Sequence, residues 1–294
     1  MQELPLVSII IPTYNNNPVV CQAIDCSLNQ TYENLEIIVV DDGSTDNTEQ
    51  LLNEKYKGKI VYIRQENKGT GGARNTGIRN ASGKYLQFLD ADDLLDLDKI
   101  SIQIKGLLGI PDKALSYCDY VCCDIDDMMV TYKRVSPLLQ NEKPLYDIIQ
   151  KWEIGLSIPV HCFILDIAFF KECGISFDEA LLANEDWDCW MNVFALDPKV
   201  VFVDKVLAIY RVRRDSRCRN KLNMRKGHLN AINKQIKKNR SNKDIVKKLS
   251  IRKEQMKCIY REAGPIMIFM DRCRLLVEKI YRGVVPWRIR RMLD

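Results

Sequence analysis

The sequence predicts an α/β fold with a mostly parallel central sheet, followed by a basic helical extension at the C-terminal end. Two observations support this prediction. Short apolar segments alternate with helical ones over residues 6–93, and a run of cations follows residue 215. Because parallel strands are joined by crossover connections that usually contain a helix, this alternation favours a parallel sheet.

Four segments are predicted as buried strands. Residues 6–11 are mainly apolar and β-branched, and Pro12 ends the segment. Nearly continuous apolar runs of this kind are typical of parallel strands that are covered on both faces. Residues 35–40, 60–63 and 85–89 repeat the pattern.

The connections between these strands are predicted as helices. Pro18 suits a helix start, and apolar residues recur at helical spacing up to Leu28. Ser44 or Asp46 is placed to cap the second helix. The third helix follows a glycine-rich loop and ends near Ala81.

Composition predicts an intracellular globular protein. The chain has 294 residues, of which 46% are hydrophobic, enough for a substantial core. Its eleven cysteines are scattered without a CxxC spacing, which argues for reduced thiols rather than a disulfide framework or a zinc site. No segment approaches the roughly 18 apolar residues of a spanning helix. We therefore expect a cytoplasmic location.

Charge divides the chain into an acidic body and a basic tail. Residues 1–210 contain 18 Lys and Arg against 32 Asp and Glu, a net charge of −14, whereas residues 211–294 contain 26 against 7, a net charge of +19. Such asymmetry indicates an anionic partner for the tail.

Chemically useful side chains cluster where the predicted strands end. Ligands of open parallel sheets bind beyond the carboxyl ends of the strands. The candidates at those ends or in the loops after them are Tyr14, Asp41, Asp42, Arg74, Asp90 and Asp92.

The densest group of carboxylates follows the fourth strand. Asp90 and Asp92 are two residues apart, so in an extended segment they point the same way and can share one divalent cation. The alternative is a solvated acidic turn that caps the next helix. The coincidence with the other strand-end residues favours the metal site, and Asp93 is predicted as the helix cap.

The remaining loops also allow two interpretations. Asp41 and Asp42 lie in a string typical of a turn, yet a carboxylate there can accept the imide hydrogen of a uracil with Tyr14 stacked on the base. The loop of residues 69–72 alone is weak evidence for phosphate binding. Arg74, on the next helical turn, strengthens that interpretation.

The order and spacing of these motifs resemble those of family 2 glycosyltransferases, whose catalytic domain has the Rossmann-like GT-A fold. The resemblance covers about residues 5–215. It rests on VSIIIPTYN at 7–15, QTY at 30–32, IVVDDGSTD at 38–46, GGARNTG at 71–77, the DxD segment at 83–93, NEDWD at 184–188 and Tyr210-Arg211. We therefore expect a GT-A domain over residues 1–215 and a basic helical region over residues 216–294.

The resemblance implies a role for each motif. Asp90 and Asp92 would hold Mg²⁺ or Mn²⁺, and Asp186 would be the general base with Glu185 assisting it. The donor would be a nucleotide sugar, predicted as a UDP-sugar. The residues predicted to bind it are Pro12, Tyr14, Asp41, Asp42, Gly72, Arg74, Asp90 and Arg213.

The motif residues also suggest an inverting, single-addition reaction. One base and in-line attack imply inversion at the anomeric carbon. The chain lacks the QxxRW element of processive synthases. Relatives carry a histidine at the position of Arg213, so Arg213 or Arg214 is predicted to contact the diphosphate. His161 is predicted as a buried structural residue in a strand.

The tail leaves several interpretations open. Its cations up to Lys253 are predicted as a solvated face, and apolar residues at helical spacing follow from Ile266 to Tyr281. That stripe either packs on the body or lies on an anionic membrane. We expect peripheral association with the cytoplasmic leaflet and a saccharide or lipid-linked saccharide acceptor. A pyrophosphorylase and a nucleic-acid-binding protein are the alternatives, and no nucleic acid partner is expected.

Overall fold

The computed structural model describes residues 4–110, 113–126, 128, 130–132, 139, 143–153, 155–213 and 221–258. Arg214 and the apolar stripe from Ile266 to Tyr281 lie outside the described residues, as does the predicted domain boundary at residue 215.

The first half of the sheet is parallel, as predicted. Its strands are β1 (Val7–Thr13), β2 (Leu35–Asp41), β3 (Val61–Arg64) and β4 (Tyr85–Phe88). They lie in the order β3-β2-β1-β4, and each neighbouring pair is parallel. The carboxyl ends of all four strands therefore meet at one edge.

The second half of the sheet is mixed. It contains β5 (Leu94–Leu95), β6 (Ala114–Asp124), β7 (Val130–Tyr132), β8 (Phe163–Asp166) and β9 (Lys199–Val212). The order continues from β4 as β8-β6-β9-β5, with β7 on β6. β8 is antiparallel to β4 and β6, whereas β6 and β9 form a long parallel pair. Most strands therefore run in the same direction as β1, so the sheet as a whole is mostly parallel although its second half is mixed.

Helices cover both faces of the sheet. Their bounds are α1 (Val19–Leu28), α2 (Thr48–Tyr56), α3 (Gly69–Asn80), α4 (Lys99–Leu107), α5 (Pro144–Gln150), α6 (Ala168–Lys171), α7 (Glu185–Phe194), α8 (Lys221–Lys238) and α9 (243–258). Ile10 of β1 packs in the core that includes α3, α7 and α8, whereas Ile9 and Ile11 pack with α1, α2 and α4. Because successive side chains of a strand alternate between faces and both faces are covered, all seven residues of β1 are buried.

The third helix lies unusually close to the sheet. A Cβ atom at Gly77 would be 2.3 Å from Cγ2 of Ile10. Glycine at this position therefore lets α3 pack directly on β1, and that close packing places the start of α3 beside the carboxyl ends of the strands.

The basic helices pack on the body, so the predicted continuous solvated face is wrong at two positions. Arg252 is buried and its guanidinium donates to the carbonyl oxygen of Trp152. Lys234 forms ion pairs with Asp178 and Asp188 at 2.7 and 2.6 Å. The cations that remain exposed in this part of the chain include Lys237, Lys238, Arg240, Lys243 and Lys247.

Two further observations concern the described ranges only. No helix within them combines the length and apolarity needed to cross a membrane. The cysteines within them are free, and those that are buried are Cys21, Cys118, Cys123, Cys162 and Cys189.

Candidate active site

The loops after β1 and β2 are joined by hydrogen bonds. Oδ1 of Asn15 accepts a hydrogen bond from the Thr45 amide at 2.7 Å, and the Asn15 amide donates to Oγ of Ser44 at 2.9 Å. Asp46, rather than Ser44, accepts from the first amide of α2. Tyr14, which directly precedes Asn15, is 46% exposed, so its ring is accessible to a planar ligand.

The two neighbouring aspartates after β2 have different surroundings. Asp41 is fully buried, and its oxygens accept hydrogen bonds from the Ser44 amide at 2.8 Å and the Tyr62 hydroxyl at 2.7 Å. Asp41 therefore shapes the loop. Oδ1 of Asp42 accepts from Nε2 of Gln65 at 2.7 Å and from the Lys68 amide at 2.8 Å. Asp42 thus ties its loop to the glycine-rich segment.

The glycine-rich segment forms one wall of a cavity of about 350 Å³. A Cβ atom at Gly72 would lie 2.4 Å from Cβ of Lys68, so glycine is needed for the backbone at residue 72 to lie this close to Lys68. Glu179, Leu181, Leu182 and Glu185 line the opposite wall. The cavity therefore lies between the start of α3 and the start of α7.

Arg74 joins the two halves of the site. Its buried guanidinium contacts Oδ1 of Asp90 at 2.7 Å and Oε1 of Glu185 at 3.2 Å. Burial lowers the pKa of Arg74, but the carboxylates of Asp90 and Glu185 raise it by more, so the group stays charged. The ring of Phe177 lies 5.2 Å below the guanidinium. The guanidinium of Arg74 thus connects the loop after β4 to the first residue of α7.

Asp93 is not a helix cap, and that prediction is wrong. Its Oδ1 accepts a hydrogen bond from the Arg211 amide at 2.7 Å, and its Oδ2 lies 3.1 Å from Nδ1 of His161. β5 follows it directly, and Asp98 is the residue that precedes α4. Because the chain turns back into the sheet here, Asp93 faces the interior.

Asp90 and Asp92 are more exposed and suit a hard divalent cation. Each side chain is 32% exposed, and carboxylate oxygens are the ligands that Mg²⁺ and Mn²⁺ prefer. Burial, with the charges of Asp93 and Asp90, raises the pKa of Asp92 to about 7. A cation would relieve that repulsion. Within the described ranges no group of three or more His, Cys, Asp or Glu is arranged for a metal.

His161 is buried, as predicted, but it does not lie within a strand. It occupies a short 3₁₀ turn, Val160–Cys162, immediately before β8, and its ring stacks on Tyr210 at 6.2 Å. The Cys162 amide donates to the carbonyl oxygen of Pro159 at 2.9 Å and closes the turn, and the strand begins at Phe163. The contact with Asp93 makes His161 part of the support under the carboxylate loop.

Asp186 lies in the first turn of α7, next to Glu185, which contacts Arg74. One of its oxygens accepts from the Trp187 amide at 2.7 Å. Burial and the neighbouring charge of Glu185 raise the pKa of Asp186 to about 7, although Arg74 acts in the opposite direction. A carboxyl with this pKa exchanges protons readily near neutral pH, which suits a general base.

Arg213 lies near the metal-site candidates. Its Nη1 is 3.9 Å from Oδ2 of Asp92 and donates to Oδ1 of Asn16 at 2.6 Å. The side chain is 25% exposed, so it borders the open side of the carboxylate loop. The predicted diphosphate contact of Arg213 stays a prediction.

Sequence reasoning included Arg211 and Asn75 in family motifs but did not predict how they support this site. Arg211 donates to the backbone oxygen of Asp92 and to Gln22. Asn75 holds the backbone of Phe177 through two hydrogen bonds of 2.9 Å and donates to Glu179 at 3.1 Å. No periodicity signals these contacts, because their partners are 102 or more residues apart in the chain.

The chain is similar to known glycosyltransferases. Residues 8–165, more than half of the chain, match Glycosyl transferase family 2. An uncharacterized glycosyltransferase of Rickettsia prowazekii is 38% identical over 215 residues, which cover 71% of this chain and 64% of the relative. The chain thus spans less than two thirds of that relative's length.

A further relative has a specific name. The UDP-Glc:alpha-D-GlcNAc-diphosphoundecaprenol beta-1,3-glucosyltransferase WfaP of Escherichia coli is 32% identical over 219 residues. The match covers 74% of this chain and 82% of WfaP.

Two solved structures share the fold. Residues 1–349 of TarS from S. aureus, in complex with UDP-GlcNAc, superpose with a TM-score of 0.60 at 20% identity, over 77% of this chain and 65% of that chain. The mannosyltransferase PcManGT from Pyrobaculum calidifontis, in complex with GDP-Man and Mn²⁺, gives a TM-score of 0.62 at 17% identity, over 97% and 78%. The predicted GT-A fold is therefore confirmed.

Proposed function

Because this chain belongs to glycosyltransferase family 2, we propose that it transfers one sugar from a UDP-sugar, with inversion, to a saccharide or lipid-linked saccharide acceptor. The observation that carries the proposal is the position of Arg74 between Asp90 and Glu185. This contact connects residues suited to a nucleoside diphosphate with a carboxylate pair suited to acid–base work. The reaction would serve the assembly of a surface polysaccharide.

The donor would bind across the ends of β1 to β4. Tyr14 is exposed for stacking on the base. Pro12, which is buried near the end of β1, would line the nucleobase pocket. Asp42 would receive the imide hydrogen, with Gly72 allowing the glycine-rich loop to approach. Asp41 is buried and would act indirectly, by fixing the loop that carries Asp42.

Negative charge grows on the leaving diphosphate as the anomeric bond breaks. Arg74 and Arg213 are cations that would stabilise that charge. Asp90 and Asp92 would hold Mg²⁺ or Mn²⁺, which as a Lewis acid would stabilise the diphosphate further. Arg74 stays protonated throughout, because two carboxylates surround it.

The acceptor hydroxyl would approach from the α7 side of the cavity. Asp186 would take the hydroxyl proton while the oxygen forms a bond to the anomeric carbon and the bond to the diphosphate breaks. Glu185 is held by Arg74 and would keep the first turn of α7 oriented. Attack opposite the leaving group inverts the anomeric centre, so an α-linked donor gives a β-linkage.

The names of similar proteins agree with this assignment. WfaP is named as a UDP-glucose-dependent enzyme with a diphosphoundecaprenol-linked acceptor. TarS was solved with UDP-GlcNAc, and PcManGT with GDP-Man and Mn²⁺. These names support a nucleotide-sugar donor, a divalent cation and the choice of a lipid-linked saccharide as the first acceptor to test.

A screen of nucleotide sugars tests the proposal directly. The full chain would be incubated with UDP-, GDP- and dTDP-sugars, with and without Mn²⁺, and nucleotide release would be measured. We expect release from a UDP-sugar that depends on the cation. Release from GDP- or dTDP-sugars alone would contradict the UDP assignment, and cation-independent release would contradict the metal site.

The pH dependence of turnover provides a second prediction. Asp186 must be deprotonated to accept a proton, and its pKa is raised to about 7. Turnover should therefore rise about tenfold per pH unit below pH 7 and level off above it. UDP release between pH 5 and pH 9 measures this, with UDP affinity at each pH as the control. A plateau reaching down to pH 5 would show a base with an ordinary carboxyl pKa.

We also propose that residues 216–294 associate with an anionic membrane surface, beside a catalytic domain of residues 1–215. Exposed cations on α8 and α9 support this proposal, because each basic residue near an anionic surface contributes about 1 kcal/mol. Replacing Lys237, Arg240, Lys243 and Lys247 by Gln should abolish flotation with phosphatidylglycerol vesicles. Phosphatidylcholine vesicles are the control. Equal binding of both forms to anionic vesicles would contradict the proposal.

A further inference from the structure

A buried histidine on α8 faces a glutamate of the loop after α5. His228 is fully buried, and its Nδ1 lies 3.0 Å from Oε2 of Glu153. The imidazole also packs on the ring of Trp187, with centroids 5.6 Å apart. The proposed reaction does not use this pair.

Glu153 of this pair also contacts the residue that directly precedes α7. Oε1 of Glu153 accepts a hydrogen bond from Nδ2 of Asn184 at 3.1 Å. Asn184 has a φ of 60°, in the left-handed region, and it directly precedes Glu185 and Asp186. Asparagine tolerates this conformation better than most residues, but the conformation still requires support from its surroundings. Glu153 supplies that support.

A second set of contacts from α8 reaches the same segment. Nζ of Lys234 lies 2.7 Å from Asp178 and 2.6 Å from Asp188, which flank the start of α7. Gln235 donates to Oδ1 of Asp188 at 2.7 Å. A Cβ atom at Gly227 would lie 2.6 Å from Cβ of Ala183, so α8 touches the loop between these ion pairs.

We infer that α8 fixes the start of α7, with His228 and Lys234 as positioning residues for Asp186. The inference rests on the proposed function, because it takes Asp186 as the general base. His228 acts through Glu153 and Asn184, and Lys234 acts through Asp178 and Asp188. The C-terminal helices therefore complete the acceptor side of the site, whereas the strand ends that would bind the nucleotide do not depend on them.

The expected effect is selective loss of turnover. A displacement of about 1 Å in a catalytic group can cost about 100-fold in rate. His228→Gln and Lys234→Gln in the full chain should lower UDP release, with water as the acceptor, by about 10- to 100-fold. UDP affinity should stay within about twofold, since Tyr14, Asp42 and Arg74 are untouched. Lys238→Gln is the matched control, because Lys238 donates from the same helix to Asn192, farther along α7.

Hydrogen exchange provides a readout that does not need the reaction. Amides of residues 178–188 should exchange about tenfold faster in His228→Gln and in Lys234→Gln, with the amides of β1 and β2 unchanged. Glu153→Gln retains the shape of the side chain and serves if His228→Gln does not fold. Unchanged exchange and turnover in these variants would overturn the inference, as would equal loosening in Lys238→Gln or uniform loosening of the whole protein.

Asp186→Asn separates this inference from the proposed function. If Asp186→Asn retains turnover, the assignment of the base fails. If Asp186→Asn loses turnover while His228→Gln and Lys234→Gln behave like the native chain in both assays, only the positioning role fails.

Discussion

Asp186→Asn is expected to lower sugar transfer by about 10²- to 10⁴-fold, the range that a general base contributes. The amide has nearly the same shape as the carboxyl but cannot accept the acceptor proton. The donor side is formed by the ends of β1 to β4, so UDP affinity should be unchanged. The measurement is single-turnover transfer or UDP release from the preferred donor, together with calorimetric titration of UDP.

The folded state should survive this substitution. Burial and Glu185 make the charged form of Asp186 unfavourable, which is why its pKa is raised to about 7. A neutral amide removes that penalty, so the melting temperature should not fall. Asp197→Asn, at an exposed position after α7, is the control and should keep native turnover. Near-native turnover in Asp186→Asn would show that the base is another residue.

The sheet was predictable because its signals are local. β1 and β2 are apolar on successive residues, and only a strand covered on both faces allows this. The positions of Asp42, Arg74 and Asp90 followed, since carboxyl ends of parallel strands lie at one edge. The sequence resemblance then connected these positions with Asp186, which lies more than 90 residues farther along the chain.

The supports of the site were not predictable, because they depend on long-range packing. Asp93 was interpreted from the helical pattern that follows it, yet Arg211 and His161 hold it inside. The two contacts come from β9 and from the turn before β8. Neither the register of β9 nor the start of β8 can be derived from local propensity. The prediction of a solvated basic face on α8 was wrong for a similar reason, because a run of cations does not reveal which lysine contacts Asp178 and Asp188.

Asp92→Asn is expected to weaken Mn²⁺ binding in the presence of UDP and to lower metal-dependent UDP release by about 100-fold or more. The magnitude follows from the several kcal/mol that a Lewis acid contributes to charge stabilisation. Asp92 borders the open side of the loop, and its backbone is held by Arg211. The substitution therefore changes one ligand without moving its neighbours. Electron paramagnetic resonance of Mn²⁺ measures binding without the reaction.

Stability distinguishes loss of a ligand from loss of the fold. Asp93 and Asp90 repel the charge of Asp92, so an amide at this position relieves repulsion and the melting temperature should stay constant or rise. Asp98→Asn, an exposed carboxylate nearby, is the control and should retain Mn²⁺ affinity. Native Mn²⁺ affinity and native turnover in Asp92→Asn would exclude Asp92 as a ligand. Arg74 and Arg213 would then be the groups left to stabilise the diphosphate.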